Sequence, residues 1–369
     1  MNAAPQFNGM NRPLPLPARR RLRACLAGLV CALAAAGYAH AAGSPPLPAF
    51  GADLQRTSVS GLSSGAFMAA QFDVAFSTQL IGAGIVAGGA FHCAGESEFV
   101  TPAVAAVTLC MQPLGDAPAA AGAWRDARRY AQAGKIDNTS GLRDQRIYLF
   151  SGAKDTIVST RVVDQAEQFY ELAQVPRANI EYQRNADAGH ALITNRPEDS
   201  SCEANKSPFI NNCGFEQSHE IVRWIYAKPA APLNPPAAQA GGKLLAFDQR
   251  AFDPSGRASL SDTGYVYVPA ECEHSACAVH VVFHGCAQNV DTVGERFVRG
   301  AGYNEIADTN RLIVVYPQVG SKSAVNPLSC WDFWGYTSAD PEHPDFYTRE
   351  APQMAAVMKM IQRLGEARP

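Results

Sequence analysis

Ser63 stands between Gly61 and Gly65 in the stretch SVSGLSSGAFMA, residues 58–69. The pattern G-x-S-x-G is short and arises by chance, but its surroundings give it meaning. A β-branched run leads into it and an apolar helical pattern leaves it. A strand that feeds directly into a helix through such a turn is a nucleophile elbow, which holds its serine in a strained backbone conformation with the hydroxyl exposed above the sheet. Small neighbours are required because the chain nearly touches itself there. The helix N-terminus behind the serine presents free N–H groups and a positive dipole end to a developing oxyanion.

A serine nucleophile needs a base, and the base needs an acid to hold its tautomer. In this class the chain order is Ser, then Asp, then His. YLFSGAKDTIV places Asp155 just beyond a strand, and NADAGHALIT places His190 just beyond the next one. Asp187 and Asp164 are weaker candidates for the acid, the first too near His190 in sequence and the second inside a helical pattern. His92 reads as a disulfide-loop residue beside Cys93, His219 lies on a helix face, and His274, His280 and His343 lie in loop or strand surroundings. The oxyanion hole takes one N–H from the residue after the nucleophile, Ser64, and a second from a His-Gly loop after a neighbouring strand. HVVFHGCAQN has that form and offers the N–H of Cys286, with His284 a structural loop residue.

These groups need a sheet with a common edge. Strand-like runs alternate with helical patterns over most of the chain, which predicts an α/β fold with a mostly parallel central sheet flanked by helices. The strand-like runs are LQRTSVSG, IGAGIVAGG, RIYLFSGAKD, IEYQRNADAGH, KLLAFDQRAF, GYVYVPAEC, AVHVVFHGC and RLIVVYPQ; the last helix is EAPQMAAVMKMIQRL. In ordinary α/β-hydrolases the His-Gly strand precedes the serine, yet His284 and Gly285 follow Ser63 by a wide margin. A circularly permuted α/β-hydrolase accounts for that order. The Pro/Ala-rich segment 228–242 is then the linker between the old ends, which often lie close together in domains. One catalytic domain over 42–369 is expected, in two halves: 42–227 with Ser, Asp and His, and 243–369 with the oxyanion loop.

The first 41 residues read as a secretory leader. Arg12, Arg19, Arg20, Arg21 and Arg23, with no acid, precede the apolar run ACLAGLVCALAAAGY and then AHA, so cleavage is expected after Ala41. The run is shorter than the ~20 residues of a bilayer span. A secreted or periplasmic protein follows, with no membrane attachment once the leader is removed. Without the five leader arginines, 26 basic residues face 34 acidic ones, a balance that argues against nucleic acid as a partner. Eight cysteines remain beyond the leader, an even number that in an exported chain implies disulfides. Roughly a hundred connectivities are open to eight cysteines. Proximity in sequence selects Cys93–Cys110, Cys202–Cys213, Cys272–Cys277 and Cys286–Cys330. None of these spacings suits a metal site, and no cofactor is expected.

The sequence resembles secreted poly(3-hydroxybutyrate) depolymerases of the single-domain, circularly permuted kind. The resemblance rests on VSGLSSGAFMAAQ, GAKDT, GHALIT, SPFINNC, GYVYVP, HGCAQN, GYNEIADTNRLIVVYPQ and CWDFWGY, in family order from LPAF at 47 to the last helix. It implies Ser63, Asp155 and His190 as catalytic residues, the Ser64 and Cys286 N–H groups as oxyanion hole, and a polyester or oligoester substrate. It further implies that the tryptophans of CWDFWGY, Trp331 above all and Trp334, line the substrate crevice. Relatives with a separate substrate-binding domain carry it after the catalytic one. With the chain running to Pro369, the expectation is that amorphous polymer or soluble oligomers are the better substrates. Two other readings compete. A feruloyl or acetylxylan-type carbohydrate esterase shares the elbow and the HGC loop but runs in the unpermuted order. A non-catalytic binding protein on a hydrolase fold often lacks the serine or its partners, all of which are present here. The sequence does not set the oligomeric state.

Overall fold

Eight strands form the central sheet. In chain order they are β1 (Thr57–Leu62), β2 (Leu80–Val86), β3 (Arg146–Gly152) and β4 (Ile180–Asn185), then β8 (Lys243–Asp248), β9 (Thr263–Val268), β10 (Ala278–Phe283) and β11 (Leu312–Tyr316). The short strands β5 (Leu192–Thr194), β6 (Ser200–Ser201) and β7 (Ile210–Asn212) form a separate small sheet. The spatial order of the large sheet is β4-β3-β2-β1-β10-β11-β9-β8. From β4 to β11 every pairing is parallel, while β9 joins β11 and β8 joins β9 antiparallel. The result is a mixed, mostly parallel sheet. The computed structural model describes residues 43–226, 232–320 and 324–368. The predicted leader over 1–41 lies outside them, as does the start of the predicted linker.

The continuous apolar runs LIVVY and AVHVVF have the composition of strands covered on both faces, and β1, β10 and β11 are buried along their whole length. Helices supply the cover: α1 (Ser64–Ala75), α2 (Pro102–Thr108), α3 (Ala120–Gln132), α4 (Thr160–Leu172) and α5 (Gln217–Tyr226), with a final helix at Pro352–Gly365. Every residue of α1 is buried, Gln71 and Asp73 among them, so this helix sits within the core. Residues 43–369 make up one compact unit.

Strands from before and after the predicted linker meet at the centre, where β1 pairs with β10 in register Gly61↔Phe283. From 232 to 242 the linker has no regular structure, but it is pinned. Asn234 Nδ2 donates to Thr309 O at 2.7 Å, Ala237 N to Glu305 O at 2.9 Å and Gly241 N to Asp308 Oδ2 at 3.1 Å.

Boundaries moved at several strands, and two of the shifts show a local cause. Leu54–Arg56, expected within the first strand, is a turn of 3-10 helix capped by Asp53, and the strand begins at Thr57. The predicted strand at 81–89 ends at Val86, because Ala87 takes a positive φ of 52° and turns the chain. The four disulfides are Cys93–Cys110, Cys202–Cys213, Cys272–Cys277 and Cys286–Cys330. These are the pairs that lie near one another in sequence.

Candidate active site

Parallel pairing puts the carboxyl ends of β1, β2, β3, β4 and β10 on one edge of the sheet, the edge where α/β sheets bind ligands. Ser63 follows β1 directly and α1 begins at Ser64. The Ser63 backbone sits at φ 58°, ψ −125°, a region that costs an L-residue about 1–3 kcal/mol. The surroundings hold it there. Ser63 N donates to Val86 O at 3.0 Å, and Ser63 O accepts from Ala66 N at 2.8 Å and Phe67 N at 3.0 Å.

The two elbow glycines are required by close approach. A Cβ on Gly61 would lie 2.2 Å from Gly65 O, and one on Gly65 would lie 2.2 Å from Phe283 O. The second contact seats the start of α1 against the end of β10 and brings Ser64 beside the HGC loop.

Asp155 and His190 leave the ends of β3 and β4. Their side chains meet at 2.7 Å, His190 Nδ1–H donating to Asp155 Oδ2, and both are almost wholly buried. The other carboxylate oxygen, Oδ1, accepts from Ile157 N and Val158 N, both at 2.8 Å. Three donors thus hold the carboxylate in place, and with Nδ1 protonated the free lone pair of the imidazole is on Nε2. The competing acids lie elsewhere: Asp187 pairs with Lys154 at 3.0 Å and Asp164 with Arg184 at 2.8 Å, both toward solvent.

Ser63 and His190 line one cavity of about 320 Å³, together with Leu62, Gly285 and Cys286. Among the described residues, neither Ser64 N nor Cys286 N has a hydrogen-bond partner, although Ser63 N and the N–H groups on either side of Cys286 do. Gly285 N donates to Gln288 Oε1 at 2.8 Å and Ala287 N to Leu328 O at 2.6 Å. Two unused donors beside a serine are what an oxyanion requires. Gln288 also ties the loop across the cavity, its Nε2 donating to Pro208 O at 3.0 Å and Phe209 O at 3.1 Å.

The remaining histidines do other work. His284 Nδ1 donates to Gly285 O at 2.7 Å and Nε2 accepts from Val319 N at 3.1 Å; burial holds its pKa down at about 4, so it is a neutral brace for the loop. His280 belongs to a polar ladder inside the sheet. It bonds Ser58 Oγ at 2.7 Å and Ser60 Oγ at 2.8 Å, which continue to Tyr226 and Tyr303, and burial lowers its pKa to about 3. Neither serine of that ladder reaches the cavity. His92, expected to be no more than a disulfide-loop residue, is buried and bonds Asp126 at 2.9 Å. His219 on α5 donates to Gly302 O, and burial lowers its pKa to about 4. His274 is exposed, and His343, also exposed, pairs with Asp340 at 3.0 Å.

The structure corrects the expectation for Trp331. Its side chain is fully buried and packs on Phe283, ring centroids 4.8 Å apart, and on His284, so it does not line the cavity. Trp334 does, beside Phe333. The reason is Asp332, whose buried Oδ1 gathers the N–H groups of Trp334, Gly335 and Tyr336 while Oδ2 takes Thr337 N and Oγ1. That tight turn sends the tryptophans before and after it to different places.

Sequence reasoning missed the rest of the wall: Ala103, Ala106 and Val107 of α2, with Met111, Ile157, Phe209 and Leu328. The signal was available in PAVAAVT, an apolar helix with no polar face lying inside a disulfide loop. Among the described residues no cluster of His, Cys, Asp or Glu is arranged to hold a metal ion, and no helix is long and apolar enough to cross a membrane.

No family model matches the chain. A poly(3-hydroxybutyrate) depolymerase of Delftia acidovorans is 38% identical over 348 residues, covering 93% of this chain and 66% of that protein, so the chain spans just under two thirds of it. A polyhydroxybutyrate depolymerase of Talaromyces funiculosus is 31% identical over 354 residues, covering 90% of this chain and 96% of that protein. Two solved structures match at 30% identity, each covering 86% of this chain and 98% of the other. One is a PHB depolymerase from Penicillium funiculosum, TM-score 0.74; the other is a serine-to-alanine PHB depolymerase complexed with R3HB trimer, TM-score 0.75. Likeness at this level over nearly the whole of a relative carries more than a shared fold: the chain belongs to the poly(3-hydroxybutyrate) depolymerase family of carboxylic ester hydrolases.

Proposed function

We propose that this protein hydrolyses poly(3-hydroxybutyrate) or its oligomers through an acyl-enzyme on Ser63. The observation that carries the reading is that Ser63, His190 and Cys286 line one apolar cavity, while the backbone N–H groups of Cys286 and of Ser64, next to the serine in the chain, are unengaged. Ser63 Oγ attacks the ester carbonyl while its proton passes to His190 Nε2. Asp155 holds the imidazolium that forms, and the Ser64 and Cys286 N–H groups receive the oxyanion. The carbon–oxygen bond to the leaving alcohol breaks as His190 returns the proton. Water then adds to the acyl-enzyme by the same path, releasing the hydroxy acid and Ser63. Family membership supports the substrate class, and the R3HB trimer held by a relative supports an oligoester in the cavity.

The rim supports a water-insoluble substrate. Val107 is 61% exposed and Leu328 56%, and both also line the cavity. Exposed apolar groups gathered at a binding mouth mark an interaction surface. A carbohydrate ester would call for polar groups that hold sugar hydroxyls, whereas the cavity wall is aliphatic and aromatic.

The chain order is that of a circularly permuted α/β-hydrolase, with 42–369 a single catalytic domain whose halves 42–227 and 243–369 share one sheet. Cleavage after Ala41 delivers it to the periplasm or the medium, where its disulfides persist.

Ser63→Ala tests the reading. The variant is expected to keep its fold and its melting temperature and to lose clearing of amorphous polyhydroxybutyrate, release of hydroxybutyrate oligomers and labelling by a fluorophosphonate. Turnover like that of the unaltered protein would end it. Release of ferulate or acetate from plant polysaccharide, in preference to hydroxybutyrate from polymer films, would favour the carbohydrate esterase instead.

A further inference from the structure

Asp155 and His190 come from separate loops 35 residues apart, yet their side chains meet at 2.7 Å. Something must fix one loop against the other. The side-chain amide of Asn205 lies between them. Its Oδ1 accepts from Thr156 N and from His190 N, each at 3.0 Å. Its Nδ2 donates to Lys154 O and to Glu203 O, each at 3.0 Å. An asparagine amide has two acceptor sites and two donor hydrogens, so its capacity is filled. Three of the four bonds go to the residues on either side of Asp155 and to the backbone of His190 itself.

The support for Asn205 is local. It lies in the loop closed by Cys202–Cys213. Asn211 Nδ2 donates to Cys202 O at 3.0 Å and Ala204 O at 2.8 Å, and Gly189 N donates to Cys202 O at 2.8 Å. A Cβ on Gly189 would lie 2.4 Å from Ala204 O, so the loop presses directly on the residue before His190. Further along the loop, the Phe209 ring meets the His190 ring edge-on at 5.8 Å. Asn205 itself does not line the cavity.

We propose that Asn205 is a positioning residue for the reaction. By bonding the chain on both sides of Asp155 and the backbone of His190, its amide sets the distance and angle of the Asp155–His190 pair, and so the aim of Nε2 at Ser63. The proposal rests on the reading of Ser63, His190 and Asp155 as the catalytic groups. Loss of the amide leaves the cavity wall in place and lets the two loops drift.

The test uses the disulfide-bonded protein, with p-nitrophenyl butyrate and a 3-hydroxybutyrate trimer as substrates. Asn205→Ala is expected to lower kcat about 10- to 100-fold on both, the scale of a small misalignment of reacting groups. KM is expected to stay within about twofold, since no substrate contact is removed. The downfield proton resonance of the His190 Nδ1–H bond is expected to shift or broaden away. A folded variant with unchanged kcat, or one whose kcat falls while that resonance is unchanged, overturns the proposal. If Asn205→Ala does not fold, Asn205→Ser takes its place under the same readings. Ser63→Ala run alongside separates the two levels: activity in that variant sinks the catalytic reading, whereas an inactive Ser63→Ala beside an unimpaired Asn205→Ala sinks only the role of Asn205.

Discussion

Replacing Gly65 by alanine puts the geometry of the oxyanion hole to a direct test. Two effects of the substitution oppose each other. Alanine is the better helix former, by about 1 kcal/mol, and Gly65 lies in the first turn of α1. Against that, the new methyl would lie 2.2 Å from Phe283 O, 2.5 Å from His284 O and 2.6 Å from Phe283 C. A carbon and a carbonyl oxygen approach to about 3.3 Å at closest, so α1 and the end of β10 must part by about 1 Å. The obstacle is backbone on both sides, and no side-chain rotation relieves it. Overpacking of this kind costs about 1–3 kcal/mol or more and outweighs the helix gain.

The opening falls between Ser64, which precedes Gly65, and Cys286, two residues beyond His284. The two proposed donors would then stand too far apart to reach one oxygen, since each must lie about 2.7–3.1 Å from it. Losing one such donor costs about 100- to 1,000-fold in kcat. The assay is initial-rate hydrolysis of p-nitrophenyl butyrate by purified Gly65→Ala, with circular dichroism and thermal melting to establish that it folds. Gly115→Ala is the control, because a Cβ at that exposed site meets nothing within 4 Å. A folded Gly65→Ala with the kcat of the unaltered protein would refute the reasoning, since it would mean that the spacing of α1 and β10 does not set the hole.

Asp73, on the buried face of α1, gives a pH prediction. Burial raises its pKa from 3.8 to about 7 even though Tyr170 Oη donates to Oδ2 at 2.9 Å. An acid with a raised folded-state pKa holds its proton in the folded state after the unfolded chain has released it. The folded protein therefore pays a penalty that grows as pH rises above the unfolded value and levels off above the folded one. Asp73→Asn removes that penalty: urea unfolding is expected to show a gain of up to about 4 kcal/mol at pH 8 and little at pH 3.5, and an equal change at both pH values would contradict the assignment. The two tryptophans are expected to separate cleanly. Trp331→Ala loses about 3–5 kcal/mol of stability as a core truncation; Trp334→Ala melts near the parent temperature and raises KM for the 3-hydroxybutyrate trimer. A reversal of the two phenotypes in melting and steady-state kinetics would contradict their placement.

The serine turn was legible in the sequence because it is a local object. Two glycines, a serine and a strand-to-helix switch within a few residues leave the backbone few ways to run, and the structure has Ser63 at a positive φ with α1 starting at the next residue. Asp155 and His190 were legible for a related reason. Parallel strands deliver their following loops to one edge, so a residue just beyond a strand has a known destination. The mostly parallel sheet followed from alternating strand and helix patterns, its antiparallel edge of β9 and β8 did not, and the close cysteine pairs followed from chain proximity.

What only the tertiary structure decided are the contacts between segments far apart in the chain. Trp331 and Trp334 have the same side chain and nearly the same position in sequence, and the buried Asp332 carboxylate sends one to the core and the other to the cavity. The Gln288 tie to Pro208 and Phe209 and the Asn205 clamp involve no repeating pattern. Strand and helix periods record which face of an element is buried. They carry no record of which distant loop a lone amide will reach, because that depends on how the elements pack once the sheet has formed.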